Sequence, residues 1–167
     1  VLDEAIYTAP AHPQWGGSAL IGSDGKLLAI GSLLIQEKVD GGTLQGNLLV
    51  PIDLLEPILD DMLKLGRPGR AANPWCGLYV TEAGGRLVVA GIAPGGPAER
   101  AGAKVGDIVV DVGGQKPAGL ADLWRAIWRF GPPGTEIPLR LRREAAVMNV
   151  RIRSADRNDF LKKPHLH

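Results

Sequence analysis

The sequence predicts a mainly β chain with few helices, laid out as two unlike modules, and three observations carry that reading. Short apolar runs alternate with Gly, Asp and Pro turn signals along most of the chain. Helical periodicity is sustained in only two places. A charge step also falls in mid-chain: residues 1–66 hold nine acids and three bases, a net of −6, and since all 167 residues sum to +1 the remainder is +7. The step coincides with Gly66-Arg67-Pro68-Gly69-Arg70-Ala71-Ala72-Asn73-Pro74, whose Gly/Pro-rich composition reads as a linker. The expected organisation is a first module over 1–66, a linker over 67–73, a second module over 74–154 and a tail over 155–167.

Composition narrows the function classes. With 45% apolar and 22% charged residues the chain is an ordinary globular one. Its longest apolar stretch, Leu27 to Ile35, is interrupted by Gly31 and Ser32 and falls short of the roughly 18 residues of a membrane span. The overall balance of 19 bases and 18 acids gives no support to nucleic-acid binding by the chain as a whole. A lone Cys76 cannot form an internal disulfide, and so few thiols exclude a cysteine-built zinc site; no metal and no cofactor is expected. The sequence opens at Val1 with neither an initiator methionine nor a signal segment, and is expected to be part of a longer protein whose targeting information lies upstream.

In the first module, strands are expected at Ala19 to Ile21, Leu27 to Ile35 and Leu44 to Val50, joined by turns at Ser23-Asp24-Gly25 and Asp40-Gly41-Gly42. A helix is expected from Asp53 to Leu65. Asp53 and Glu56 stand three apart as a capping box, Pro57 lies in the first turn, and Leu55, Ile58, Leu59, Met62 and Leu65 recur at helical spacing before Gly66.

In the second module, Leu78 to Thr81 and Leu87 to Ile92 read as strands around Ala83-Gly84-Gly85. One helical turn is expected at Ala98 to Ala101, then a Gly106-Asp107 turn and the buried-type strand Ile108 to Val112. From Leu120 the positions Leu123, Trp124, Ile127 and Trp128 form the stripe of an amphipathic helix, stopped at Gly131-Pro132-Pro133-Gly134. A hairpin of Glu136 to Arg142 and Val147 to Arg153 closes the module, and the tail shows no strong period.

This order of elements, with the string Gly95-Gly96-Pro97-Ala98-Glu99-Arg100-Ala101-Gly102-Ala103-Lys104-Val105-Gly106-Asp107-Ile108-Val109, resembles a PDZ domain of the bacterial protease-associated type over roughly residues 74 to 154. The resemblance implies a partly open β-barrel or sandwich with two helices. It also implies that the tail of another polypeptide, or an extended or unfolded segment, adds as a strand beside the domain's second strand while N–H groups of a preceding loop hold its carboxylate. Carried over, the carboxylate loop is Trp75-Cys76-Gly77-Leu78, where Gly77 leaves the backbone unhindered. Leu78, Val80, Leu123 and Ile127 would line an apolar pocket or, alternatively, belong to a core continuous with it. Trp124 and Trp128 are either rim contacts or buried anchors. Asp107 reads as a turn residue rather than an acid.

Upstream, Ile6-Tyr7-Thr8-Ala9-Pro10-Ala11-His12-Pro13-Gln14-Trp15-Gly16-Gly17-Ser18-Ala19-Leu20-Ile21 with Asp24-Gly25 looks like the nucleophile segment of the HtrA/Deg trypsin-like serine proteases, so residues 5–66 resemble the closing part of such a barrel. In ungapped register Gly16 stands on the catalytic serine, which leaves no hydroxyl to attack a carbonyl. Ser18, two residues on, could be presented by a shifted loop, but that shift moves its Oγ by several ångströms, and nucleophile and base must lie within about 2.6–3.2 Å. The triad's His and Asp would come from upstream of Val1. A Ser18–His12 dyad is imaginable, but loop residues without catalytic work are the favoured reading of both, and His165 and His167 lie in the tail. The expectation is a peptide-binding module beside a degenerate protease segment, periplasmic by family likeness; the rival is part of an active endopeptidase. Sixty-six residues supply only part of a barrel, so exposed strand edges and apolar surface are expected, covered by self-association or by an upstream barrel. Arg140, Arg142, Arg143, Arg151 and Arg153 in the last hairpin suggest a face for phosphate or acidic lipid, with a solvated outer sheet face preferred.

Overall fold

The computed structural model describes residues 4–39, 42–69 and 71–161, and the chain divides into two compact units between residues 70 and 71. The expected turn at Asp40-Gly41 and the histidines at 165 and 167 lie outside the described residues.

The first unit is one antiparallel sheet of β1 (Ile6–Thr8), β2 (Ala19–Ile21), β3 (Leu27–Val39) and β4 (Gly42–Pro51), in the order β1-β4-β3-β2. The long β3–β4 pair runs from Ala29 opposite Pro51 to Val39 opposite Gly42, with a bulge between Gly31 and Leu33. Strand β1 was not foreseen; pairing of Tyr7 with Leu48 fixes it from outside. Gly46 makes room for it, since a Cβ there would sit 2.2 Å from the Tyr7 ring.

The expected helix from Asp53 needs correction. Two 3₁₀ turns, Ile52–Leu54 and Glu56–Ile58, precede the α-helix proper, α1 (Leu59–Leu65), and neither Asp53 nor Glu56 makes a capping bond. Pro57 has no N–H to give to the carbonyl four residues back, so the chain tightens to three-residue bonds from Leu55 N to Ile52 O and from Ile58 N to Leu55 O. At the other end Gly66, with φ of 69°, caps α1 through its N–H on Met62 O, as its sequence position implies.

The second unit holds β5 (Leu78–Ala83), β6 (Arg86–Ile92), α2 (Pro97–Arg100), β7 (Ile108–Val112), α3 (Leu120–Trp128), β8 (Glu136–Arg143) and β9 (Ala146–Arg153). The strands form one antiparallel sheet in chain order, so β5 and β9 are its edges. Helix α3 packs on β5 and β7, and α2 lies beside β9. The apolar stripe of α3 enters a core with Val89, Val112, Ile137, Leu139, Leu141 and Ile152. Trp124 and Trp128 are half-buried and pack against that core. The tail is less idle than its lack of period suggested: Ala155 exchanges two backbone bonds with Trp75, and a 3₁₀ turn at Arg157–Phe160 lays Phe160 on the Trp75 ring, centroids 4.7 Å apart.

Candidate functional site

The segment Trp75–Leu78 enters β5 with three successive carbonyls engaged by the rest of its unit. Trp75 O accepts from Ala155 N at 2.9 Å, Cys76 O from Ala98 N at 2.8 Å and Gly77 O from Ala93 N at 2.9 Å. Among the described residues the cis peptide is Ala9-Pro10, so the peptides of this segment are trans and the N–H of each points opposite its carbonyl. The N–H groups of Cys76, Gly77 and Leu78 therefore face away from those partners, and that of Leu78 lies along the open edge of β5. Gly77 makes the bend with φ of 74°, and Pro97 presses on it so closely that a Cβ would sit 3.2 Å from Pro97 Cδ.

The remaining residues of this site are less open than their spacing alone suggests. Leu78 is 4% exposed and Leu123 and Ile127 are wholly buried in the core, whereas Val80 is half-buried. Cys76 is buried too, and burial pushes its thiol up to about 12, so it stays protonated and unreactive at neutral pH.

Glu82 is a residue that periodicity did not single out. Its Oε1 accepts from Leu120 N at 2.5 Å, tying the far end of β5 to the first turn of α3. The signal available was negative: Gly119 stands at the N-cap and has no side-chain acceptor, so a partner remote in sequence has to supply one.

Asp107 is fully buried and closes a turn, accepting from Lys104 N at 2.8 Å and from Arg143 Nε and Nη2 at 2.8 and 2.9 Å. The hydrogen bond from Arg143 holds its carboxyl below the usual range against the opposing effect of burial. That is the structural role its Gly-Asp context implied.

In the first unit, the loop around Gly16 is ordered by backbone contacts. Gly17 N donates to Gly31 O at 2.9 Å, Gly31 N to Ser18 O at 2.8 Å, and both the N–H and the hydroxyl of Ser18 donate to Trp15 O, at 3.1 and 2.9 Å. Gly31 permits this, because a Cβ there would lie 1.9 Å from Trp15 O. The Ser18 proton thus goes to a main-chain carbonyl. His12 is engaged elsewhere: its backbone N–H donates to Asn47 Oδ1 at 2.6 Å and its Nδ1 accepts from Gln14 N at 3.2 Å. Asn47, another residue the sequence did not mark, is 2% exposed, and its Nδ2 has no partner among the described residues. No cluster of three or more metal-ligating side chains occurs among the described residues.

Residues 74–153 match the family model described as PDZ domain. The chain is 28% identical over 163 residues to a probable periplasmic serine endoprotease, DegP-like, of Halomonas elongata, covering 90% of this chain and 33% of that protein. It is 28% identical over 149 residues to the serine endoprotease DegS of Escherichia coli, covering 81% of this chain and 41% of that one. The chain therefore spans about a third to two fifths of the length of these relatives. Among solved structures, the HtrA-type protease AlgW with a decapeptide matches with TM-score 0.52 at 22% identity, over 82% of this chain and 44% of that one. A serine endoprotease from Yersinia pestis matches with TM-score 0.50 at 23% identity, over 82% and 46%. These likenesses show the fold.

Proposed function

Starting from a chain that carries a PDZ domain and is homologous to HtrA-type serine endoproteases over most of its length, we propose that it captures the C-termini or extended segments of polypeptides by strand addition to β5, beside a protease segment that has lost its nucleophile. One observation carries the reading: the N–H groups of Cys76, Gly77 and Leu78 point opposite the carbonyls that Ala155, Ala98 and Ala93 engage, at the start of an edge strand. Three amides at one bend suit a carboxylate, and the open backbone of β5 suits the residues that precede it. Leu78, Leu123 and Ile127 form the apolar floor, while Val80, Trp124 and Trp128 retain the exposure needed to touch a ligand side chain. The likeness in fold to the structure of AlgW with a decapeptide is in keeping with this mode of binding.

Loss of the nucleophile rests on Gly16, which has no side-chain hydroxyl, and on the Ser18 hydroxyl's bond to Trp15 O. The likeness to a periplasmic DegP-like protein suggests the periplasm as the site of action. Exposed Leu33, Leu34, Leu63 and Leu65 in the first unit fit a barrel segment that is covered by a second copy or by further protease sequence.

The test pairs two measurements. Anisotropy with a peptide ending in a free carboxylate and an apolar residue is expected to saturate, and amidation of that carboxylate to weaken binding by about tenfold or more, the equivalent of one charge-assisted hydrogen bond. Equal binding of both peptides contradicts carboxylate capture. Incubation with a fluorophosphonate probe and unfolded casein is expected to give neither labelling nor cleavage; labelling abolished by Ser18→Ala means that this chain belongs to a working endopeptidase.

A further inference from the structure

The arginines of the last hairpin look alike in sequence and are sorted by the fold into different tasks. Arg140 is paired to buried Asp111, and Arg143 to buried Asp107 and to Gly102 O. Arg142 lines a separate cleft together with Lys116. Arg151 and Arg153, two apart on the outer face of β9, turn instead into a cleft of about 450 Å³ between β9 and α2, whose other walls are Pro97, Arg100, Ala101 and Ser154.

Three guanidinium-bearing side chains and no carboxylate line that space. Arg100 is fixed in place: its Nη1 donates to Gly95 O at 2.9 Å and its guanidinium stacks over Phe160, 5.8 Å from the ring centroid. Arg151 has an exposed partner in Glu136, at 3.2 Å, which competes weakly against solvent. Arg153 has no ion-pair partner among the described residues. Ser154 is a rigid wall, its N–H and hydroxyl both spent on Thr135 O.

Like charges gathered on one concave surface raise the local potential and concentrate anions. A singly charged carboxylate offers two oxygens to one guanidinium fork; a phosphate offers three or four oxygens and nearly two charges, enough to engage several forks at once. We propose that this cleft is a binding site for a phosphate group, supplied either as a soluble phosphate or as a phospholipid headgroup. Pro97, one wall of this cleft, also presses on Gly77, so the two sites adjoin, but the phosphate proposal rests on the guanidinium groups and not on the peptide-binding reading.

The test is a titration of the 167-residue chain with sodium phosphate at constant ionic strength, chloride being exchanged out, followed by heteronuclear NMR. Saturable shifts are expected at the amides of Ala101, Arg153 and Ser154 and at Arg100 Nε–H. Arg153→Gln and Arg100→Gln are each expected to weaken binding by about tenfold, the loss of one charge-assisted contact, while Lys116→Gln, on the other cleft, leaves it unchanged. Binding to phosphatidylglycerol vesicles that free phosphate competes away identifies a headgroup as the source; phosphate binding without vesicle binding identifies a soluble ligand. Shifts that follow chloride equally, a response unchanged in both arginine variants, vesicle binding that phosphate does not displace, or a glutamate-rich peptide that binds as tightly as phosphate each overturn the proposal.

Discussion

Residues 4–69 and 71–161 are comparably apolar in sequence and bury their apolar side chains very differently. In the second unit Val89, Leu123, Ile127, Ile137, Leu141 and Ile152 are all fully buried. In the first, Ala29 and Leu49 are the buried apolar side chains among the described residues, while Leu33 is 50% and Leu63 76% exposed. The second unit has two layers, a sheet with α3 laid across it, and each layer dries the other. The first is one sheet with its apolar residues in place and little to set against them. Hydrophobic pattern therefore settles which residues seek burial, and the presence of a second layer settles which obtain it.

That contrast can be attacked directly. Leu123→Ala should cost about 2–5 kcal/mol by cavity formation, whereas Leu34→Ala should stay within about 0.5 kcal/mol. Denaturant titration of both variants checks this, and equal losses would erase the distinction between the units. Gly77→Ala comes next: an L side chain at φ of 74° against Pro97 is strained, and the cost should exceed about 1 kcal/mol. The same variant should impair capture of a free peptide carboxylate, while an equally strained glycine in an open turn, such as Gly84, should lose stability without losing binding.

A smaller effect separates the units by acid. Asp107 has its carboxyl held below the ordinary 3.8 by Arg143, so its stabilising contribution is present above that value and is lost as pH falls through the lower folded-state value. Thermal melts between pH 6 and pH 2 should show the second unit losing stability in that acid window, with Asp107→Asn less stable at neutral pH and less acid-sensitive. The smallest effect is chemical. Cys76, pushed up to about 12 by burial, should react with iodoacetamide at pH 8 only slowly, and rapidly once urea opens the unit. Fast labelling of the native chain would mean that the loop bearing Cys76 opens readily.

Elements whose cause is local were legible in the sequence. The strand Ile108–Val112, the start of α3 at Leu120 and the cap at Gly66 sit where alternation, helical spacing and a C-terminal glycine put them. The motif from Gly95 to Val109 located the module to which Trp75–Leu78 belong. What escaped notice was set by contacts across the fold. Strand β1 exists through Leu48 and Asn47. The cap of α3 comes from Glu82, 38 residues away. The first turns after Pro51 looked helical by spacing, yet a missing proline N–H outweighed the period.

The sequence by itself determined a mainly β chain of two modules, the placement of the second module's strands and helices, and the glycine at the bend before β5, because each follows from the conformational preferences of a few neighbouring residues. Only the tertiary structure decided that the Ser18 hydroxyl is spent on Trp15 O, and that Arg140 and Arg143 neutralise buried aspartates 29 and 36 residues away while Arg153 lines a cleft with Arg100. A side chain's charge is written in the chain, but whether that charge is paired or left to meet a ligand depends on which distant residue the fold brings within hydrogen-bonding reach.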